Sequence, residues 1–102
     1  MIKHVNSLEE LQNEVKEGKV LVDFFATWCG PCRMLGPVLE ELDSDPSFDV
    51  KIVKVDVDEV EEAAIAYRVS SIPTLLFYRD GEIKNHALGF MRKDQVIDFC
   101  KK

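Results

Sequence analysis

One run of apolar residues constrains the fold of this chain more than any other feature. Residues 20–26 read Val-Leu-Val-Asp-Phe-Phe-Ala, so Asp23 is the only polar residue, and apolar and polar side chains do not alternate. This pattern is typical of a strand that is covered on both faces, because the side chains on either face then pack against other residues. Such a strand needs helices on both sides of its sheet, so the run indicates an α/β protein.

The rest of the chain predicts strands and helices that alternate around this strand. Strands are predicted at residues 2–5, 20–26, 50–57, 74–78 and 82–88, and helices at residues 7–17, 29–42, 60–67 and 93–102. The order β-α-β-α-β-α-β-β-α indicates a central mixed β-sheet with helices on both faces. The 102 residues contain no linker rich in Pro, Gly and Ser and no repeat, so we expect residues 1–102 to form a single domain.

Individual residues predict where the first helix starts and ends and where the second helix bends. Ser7 and Glu10 form the pattern of a capping box at the start of the first helix, and Gly18 is expected to end that helix. Pro37 lies inside the second helix and is expected to kink it, because proline lacks the N–H group that the helix uses there.

Charge and hydropathy exclude several function classes. Thirteen Lys and Arg against 19 Asp and Glu give a net charge of −6, which disfavours binding to nucleic acid or to an anionic membrane surface. No apolar run approaches the roughly 20 residues of a membrane span, and residues 1–6 lack the apolar segment of a signal peptide. We therefore expect a cytoplasmic protein with no nucleic-acid or membrane partner, and we also expect a monomer.

Two of the three cysteines form a C-x-x-C pair. Cys29 and Cys32 lie between the apolar strand and the second helix, separated by Gly30 and Pro31. Residues three apart on a helix have Cβ atoms about 5–6 Å apart, close enough for a disulfide after a small adjustment. Unpaired N–H groups at the helix N-terminus favour the reactive thiolate of Cys29, whereas Cys32 is expected to be deeper and more shielded. The pair therefore indicates redox chemistry.

A zinc site and a haem attachment site are the alternatives for such a pair. Zinc takes four ligands, and the chain offers only Cys100, His4 and His86 besides the pair, none of them at ligand spacing. Haem attachment would require histidine at position 33, where the chain has Arg33. We interpret Cys100, on the apolar face of the last helix, as a small core residue, with an accessory redox role as the alternative.

The residues around the pair resemble those of the thioredoxin family. The shared residues are Trp28-Cys29-Gly30-Pro31-Cys32, Val22-Asp23-Phe24, Pro37, Lys54-Val55-Asp56, Ile72-Pro73-Thr74 and Gly89, and they span nearly the whole chain. The resemblance implies a thioredoxin fold and a dithiol–disulfide oxidoreductase that reduces disulfides in substrate proteins. It also implies recycling by a thioredoxin reductase, which would use NADPH, with no cofactor bound to this chain.

The resemblance and the apolar strand together assign catalytic roles. Cys29 is expected to attack the substrate disulfide, and Cys32 to resolve the mixed disulfide that forms. Burial in the apolar strand should raise the pKa of Asp23, which is then expected to act as general base for Cys32. The alternative is a partly exposed Asp23 that pairs with Lys54 of the neighbouring strand, and we include Lys54 among the catalytic candidates.

A substrate-binding surface is expected beside the cysteines. Its predicted members are Trp28, Gly30, Pro31, Ile72, Pro73 and Gly89. In the family, the proline that matches Pro73 follows a cis peptide bond. We expect it to present the backbone of Ile72 to an extended segment of the substrate.

Two other functions are open at this point. The first is a disulfide oxidase or isomerase, but Pro31 between the cysteines is more typical of a reductant. The second is a binding module that uses the same surface as a subunit of a complex. The chain departs from the usual family residues at three positions, Phe25, Gly36 and Phe90, which bear on partner preference and helix stability rather than on activity.

Overall fold

A five-stranded mixed sheet organises residues 2–102, which are the residues that this computed structural model describes. The strands are β1 Ile2–His4, β2 Lys19–Phe25, β3 Lys51–Asp56, β4 Thr74–Arg79 and β5 Glu82–Leu88. The helices are α1 Leu8–Glu14, α2 Gly30–Asp43, α3 Glu61–Ala66 and α4 Lys93–Phe99. The predicted order of elements is therefore confirmed. None of these four helices combines the length and the hydropathy of a membrane span.

The order of the strands explains why β2 is buried. The order β1-β3-β2-β4-β5 places β2 between β3 and β4 at the centre of the sheet. Strands β1, β3 and β2 run parallel, whereas β4 is antiparallel to β2, and β5 is antiparallel to β4. Every residue of β2 between its two end residues is buried, as its apolar run predicts.

Pairs of helices cover the two faces of the sheet. Helices α1 and α3 pack on one face, to which β2 contributes Val20, Val22 and Phe24. Helices α2 and α4 pack on the opposite face, to which β2 contributes Leu21. Because successive side chains of a strand point to opposite faces, Asp23 and Phe25 lie on the α2/α4 face with Leu21.

The start of α1 agrees with the predicted capping box only in part. The Ser7 hydroxyl oxygen accepts a hydrogen bond from the Glu10 N–H group at 3.1 Å, as expected of a capping residue. The Glu10 carboxylate accepts from the N–H group of Asn6, at 3.1 Å, and not from that of Ser7. The carboxylate thus pairs with the donor one residue before the cap, and the reciprocal bond of the capping box is not formed.

The end of α1 also differs from the prediction. The helix ends at Glu14 and does not continue to Gly18. Gly18 instead has a positive φ of 74° and exchanges two hydrogen bonds with Asp80 in the turn between β4 and β5. Gly18 therefore lies beyond the helix, directly before β2, and its backbone is held by a distant turn and not by the end of the helix.

Candidate active site

The cysteine pair lies between the end of β2 and the first turn of α2. Cys29 is the N-cap residue of α2, and Pro31 is in the first turn, where its missing N–H group costs no hydrogen bond. Cys29 and Cys32 are joined by a disulfide, and their Cα atoms are 5.2 Å apart. The Cys32 N–H group donates to Cys29 Sγ at 3.2 Å. The helix N-terminus thus directs a backbone donor at the sulfur of Cys29, an arrangement that stabilises a thiolate when the pair is reduced.

The two cysteines are almost equally exposed in this disulfide form. Cys29 has 5% of its surface exposed and Cys32 has 4%, so the predicted greater shielding of Cys32 is not observed. Both pack with Ala26, and Phe25, Val57 and Ile72 lie against this small cluster. The disulfide holds the two residues in one turn of chain, so the same neighbours cover them both.

A loop before β4 lies directly beside the disulfide. The Ile72–Pro73 peptide bond is cis, and the Ile72 carbonyl oxygen is 3.8 Å from Cys29 Sγ. The Gly89 N–H group donates to the Pro73 carbonyl oxygen at 2.8 Å, which ties the end of β5 to this loop. The structure therefore brings Ile72, Pro73 and Gly89 together next to Cys29. Gly30 and Pro31, at the start of α2, are exposed beside them.

Trp28 forms the other side of this surface. Its side chain is 65% exposed, and its Nε1–H group donates to Asp58 Oδ2 at 2.8 Å. A groove of about 180 Å³ separates the indole from the loop before β4, and it is lined by Trp28, Val57, Val69, Ser70, Ser71 and Ile72. All the residues predicted for the substrate surface thus lie around the disulfide, and Pro73 is the buried member of the set.

Asp58 is a residue that sequence reasoning missed. Its signal is topological: β2 and β3 are parallel neighbours, so the segments that follow them emerge at the same edge of the sheet. Trp28 follows β2 and Asp58 follows β3, which places them within contact of each other. Knowing which strands are neighbours would have indicated this pair, but the local sequence around either residue does not.

Asp23 and Lys54 form a partly buried ion pair between the neighbouring strands β2 and β3. They are direct partners in the register of β2 and β3, and Lys54 Nζ lies 3.8 Å from Asp23 Oδ2. Asp23 is fully buried, and neither of its carboxyl oxygens has a hydrogen-bond partner among residues 2–102. Burial raises the pKa of Asp23 from 3.8 to about 6, and the nearby Lys54 ammonium offsets part of that rise. A partly exposed Asp23 is therefore wrong, whereas the pairing with Lys54 is present.

Lys54 of this ion pair and the second cysteine line one cavity. Its volume is about 300 Å³, and it is lined by Phe25, Ala26, Thr27, Cys32, Arg33, Gly36 and Lys54. Cys32 and Lys54 thus open onto the same space. Asp23 does not line the cavity, and its connection to that space runs through Lys54.

Cys100 lies apart from the cysteine pair, in the core between the sheet and helices α2 and α4. Cys100 is buried in the α2/α4 core, and burial raises the pKa of its thiol to about 12. It is therefore a neutral, shielded core residue, as the sequence indicates. Within residues 2–102, no group of three or more His, Cys, Asp or Glu side chains is placed to hold a metal ion.

Comparison with known proteins decides the family. The sequence profile of the family described as Thioredoxin matches residues 2–102. The chain belongs to the thioredoxin family. A thioredoxin of Bacillus subtilis (strain 168) is 52% identical over 89 residues, which cover 87% of this chain and 86% of that protein. A thioredoxin of Listeria monocytogenes is 44% identical over 102 residues, covering 100% of this chain and 98% of its own length.

Solved thioredoxin structures agree with the architecture described above. A mutant thioredoxin from Halobacterium salinarum NRC-1 has a TM-score of 0.88 and 38% sequence identity to this chain, covering 98% of it and 88% of its own chain. The thioredoxin fold and the resemblance inferred from the sequence are thereby confirmed. With its Cys29–Cys32 disulfide, this thioredoxin-family protein is a thiol–disulfide oxidoreductase.

Proposed function

We propose that the protein works as a reductant of disulfides in other proteins, with Cys29 as the attacking residue. The observation that carries this proposal is the position of Cys29 Sγ. The Cys32 N–H group approaches it at 3.2 Å, and the carbonyl oxygen of the partly exposed Ile72 lies 3.8 Å away. A thiolate formed there is stabilised by the helix N-terminus and faces an incoming substrate.

The first step forms a mixed disulfide. In the reduced protein, the Cys29 thiolate attacks one sulfur of the substrate disulfide. A bond forms between Cys29 Sγ and that sulfur, and the substrate S–S bond breaks. The second substrate sulfur leaves with the electron pair of the broken bond as a thiolate and takes up a proton.

The second step releases the substrate and needs a base for Cys32. The Cys32 thiol is proposed to give its proton to the Asp23 carboxylate by way of the cavity that Cys32 and Lys54 share, and the resulting thiolate attacks Cys29 Sγ. The Cys29–Cys32 disulfide forms, and the remaining substrate sulfur leaves as a thiolate. A pKa of about 6 leaves Asp23 mostly ionised at neutral pH and still able to accept a proton. Lys54 stabilises the carboxylate and links it to the cavity that Cys32 lines.

The substrate is proposed to bind across the surface around the disulfide. An extended segment of the substrate would lie against the backbone of Ile72 by strand addition, with cis-Pro73 and Gly89 shaping the site. The exposed indole of Trp28 supplies apolar contact area on the other side of Cys29. Gly30 and Pro31 add little bulk at the start of α2, so a partner protein can approach the cysteines closely.

Recycling completes the proposed cycle. The disulfide form must regain two electrons, and we propose that a thioredoxin reductase supplies them from NADPH, so that this chain itself binds no cofactor. The working form is proposed to be a cytoplasmic monomer, consistent with its net charge of −6.

The equilibrium reduction potential of the Cys29–Cys32 pair tests the proposed direction of the reaction. It can be titrated in glutathione buffers, with a Cys100→Ser variant as control for the third thiol. We expect a value near about −270 mV, which is typical of thioredoxin itself. A value between about −180 and −120 mV would identify an oxidant or isomerase. Failure to form the intramolecular disulfide would leave only the binding-module function.

The division of labour between the two cysteines needs a separate test. A Cys32→Ser variant should attack substrates through Cys29 and then stop at the mixed disulfide, which can be detected on non-reducing gels or by mass spectrometry. The matched Cys29→Ser variant should form no such adduct. Normal turnover by Cys32→Ser would contradict the assignment.

A further inference from the structure

We propose that Phe25 is a positioning residue that holds the Lys54 ammonium beside the Asp23 carboxylate. The inference rests on the proton-transfer role proposed above for Asp23 and Lys54, and it adds the group that places them. Phe25 itself is not proposed to touch the substrate or to transfer a proton.

The three side chains lie together on the α2/α4 face of the sheet. Asp23 and Phe25 are two residues apart on β2, so they point to the same face, and Lys54 is the register partner of Asp23 on β3. Lys54 Nζ lies 4.5 Å from the centre of the Phe25 ring and 3.8 Å from Asp23 Oδ2. The ammonium therefore lies within reach of both the face of an aromatic ring and a carboxylate.

Lys54 needs the contact with the Phe25 ring because its side chain can also extend into the neighbouring cavity. The side chain borders the cavity of about 300 Å³ and is 14% exposed, so a rotation could carry the ammonium away from Asp23. The ion pair is too long for a hydrogen bond, so Asp23 exerts no directional hold on the ammonium. A cation above an aromatic face is attracted by the ring, and more strongly when it is largely removed from water.

The Phe25 ring also contacts a residue of the edge strand β1, which lies next to β3. The His4 ring of β1 packs edge-on against the Phe25 ring, with the ring centres 6.1 Å apart and an interplanar angle of 81°. His4 is also the register partner of Lys54, so β1, β3 and β2 place these groups in one row. From α2, Arg33 lines the same cavity, and its guanidinium donates to the Thr27 carbonyl oxygen at 3.4 Å.

The ionisation constant of Asp23 depends on how close the Lys54 ammonium lies, because that positive charge stabilises the carboxylate. We would titrate the Asp23 carboxyl carbon by NMR in the disulfide form, in which Cys29 and Cys32 do not ionise. In Phe25→Leu, the ammonium should spend less time beside the carboxylate, so we expect the Asp23 ionisation constant to fall about threefold. Phe25→Tyr keeps the ring and should restore the wild-type value. No change in Phe25→Leu would overturn the proposal.

A double-mutant cycle separates positioning from packing. Phe25→Leu also changes the apolar surroundings of the site, and an effect of that change on the ionisation of Asp23 would not depend on Lys54. In a Lys54→Met background, the positioning proposal therefore predicts that Phe25→Leu has no further effect on the ionisation constant. An equal effect in both backgrounds would overturn the proposal in favour of packing. Thermal unfolding of each variant verifies that it is folded at the titration temperature.

Resolution kinetics distinguish failure of this inference from failure of the proposed function. Asp23→Asn should slow release of the substrate from the mixed disulfide if Asp23 is the base. Slow resolution in Asp23→Asn without coupling between Phe25 and Lys54 would overturn only the positioning role. Normal resolution in Asp23→Asn would overturn the base assignment, whatever the cycle gives.

Discussion

The two faces of strand β2 are both buried, but they carry different chemistry. On the α1/α3 face, β2 presents only apolar side chains, and the last of them, Phe24, is fully buried. On the α2/α4 face, Leu21 is followed by Asp23 and then by Phe25, next to the cavity that Cys32 lines. The α1/α3 face of β2 therefore packs in the apolar core along its whole length. The α2/α4 face begins in the core and borders the reactive site at the end of β2 nearest the cysteines.

This difference shows how a small protein accommodates a buried charge. A carboxylate without hydrogen bonds in the interior destabilises the folded state, and the complete packing of the opposite face offsets that cost. Substitutions on the two faces should therefore have opposite effects on stability, and the largest effect is expected on the apolar face.

Phe24→Ala should give the largest loss of stability. Phe24 is fully buried among residues of α1, α3 and three strands, so truncation removes apolar contacts and leaves a cavity. We expect the free energy of unfolding to fall by about 3–5 kcal/mol, measured by urea denaturation. Leu88→Ala is the control, because Leu88 is 62% exposed, and its substitution should cost less than about 0.5 kcal/mol. A loss below about 1 kcal/mol for Phe24→Ala would contradict the contrast between the faces.

Asp23→Asn should stabilise the protein at neutral pH. The pKa of Asp23 is raised from 3.8 to about 6 on folding, so the folded state binds this proton more tightly than the unfolded chain. This contribution to stability is present below about pH 4 and is lost as the pH rises through about 6, a change of roughly 3 kcal/mol. The variant lacks this titration, so it should be more stable than the wild type above pH 6.

Unfolding of the disulfide forms across pH 3.5 to 8 checks the Asp23 prediction. The difference in unfolding free energy between the two proteins should be smallest below pH 4, where Asp23 is protonated and resembles the amide, and should grow toward neutral pH. A difference that does not change with pH would show that the Asp23 charge is not what destabilises the α2/α4 face.

The same contrast shows what the sequence could predict. Local patterns predict the burial of β2, the order of the elements and the position of Cys29 at the start of a helix. An unbroken apolar run indicates the buried strand, and a C-x-x-C pair ahead of a helical pattern indicates the helix start, without any knowledge of distant contacts. The raised pKa of Asp23 follows in the same way from its position in the run.

Three features that the sequence did not indicate depend instead on pairing between distant segments. Gly18 does not end the helix as predicted but binds Asp80, and nothing near Gly18 in the sequence indicates that partner. The contact of Trp28 with Asp58 depends on which strands are neighbours in the sheet. The stacking of Lys54 on Phe25 likewise requires the register of β2 and β3.

Asp58 is the exposed counterpart of the buried Asp23, and its loss should have a smaller effect. Its carboxylate accepts the hydrogen bond from the Trp28 indole, so Asp58→Ala should free the indole to rotate. We expect kcat/KM toward a protein disulfide to fall by about threefold to tenfold, the range for one hydrogen bond. Asp58→Asn keeps an acceptor oxygen and should stay near wild type. Equal losses in the two variants would point to the charge and not to the position of Trp28.

Substitution of Cys100 should have the smallest effect of all on the protein. It tests whether Cys100, on the α2/α4 face, belongs to the core or to the redox site. Cys100 lies in the same core cluster as the buried leucines of α2, and burial holds its thiol in the neutral form. A neutral group among apolar side chains does not change the relative stability of the Cys29–Cys32 disulfide and dithiol. Cys100→Ser should therefore shift the reduction potential by less than about 10 mV, roughly a factor of two in the equilibrium constant. A shift above about 30 mV would mean a tenfold change, and Cys100 would then belong to the redox site instead of the core.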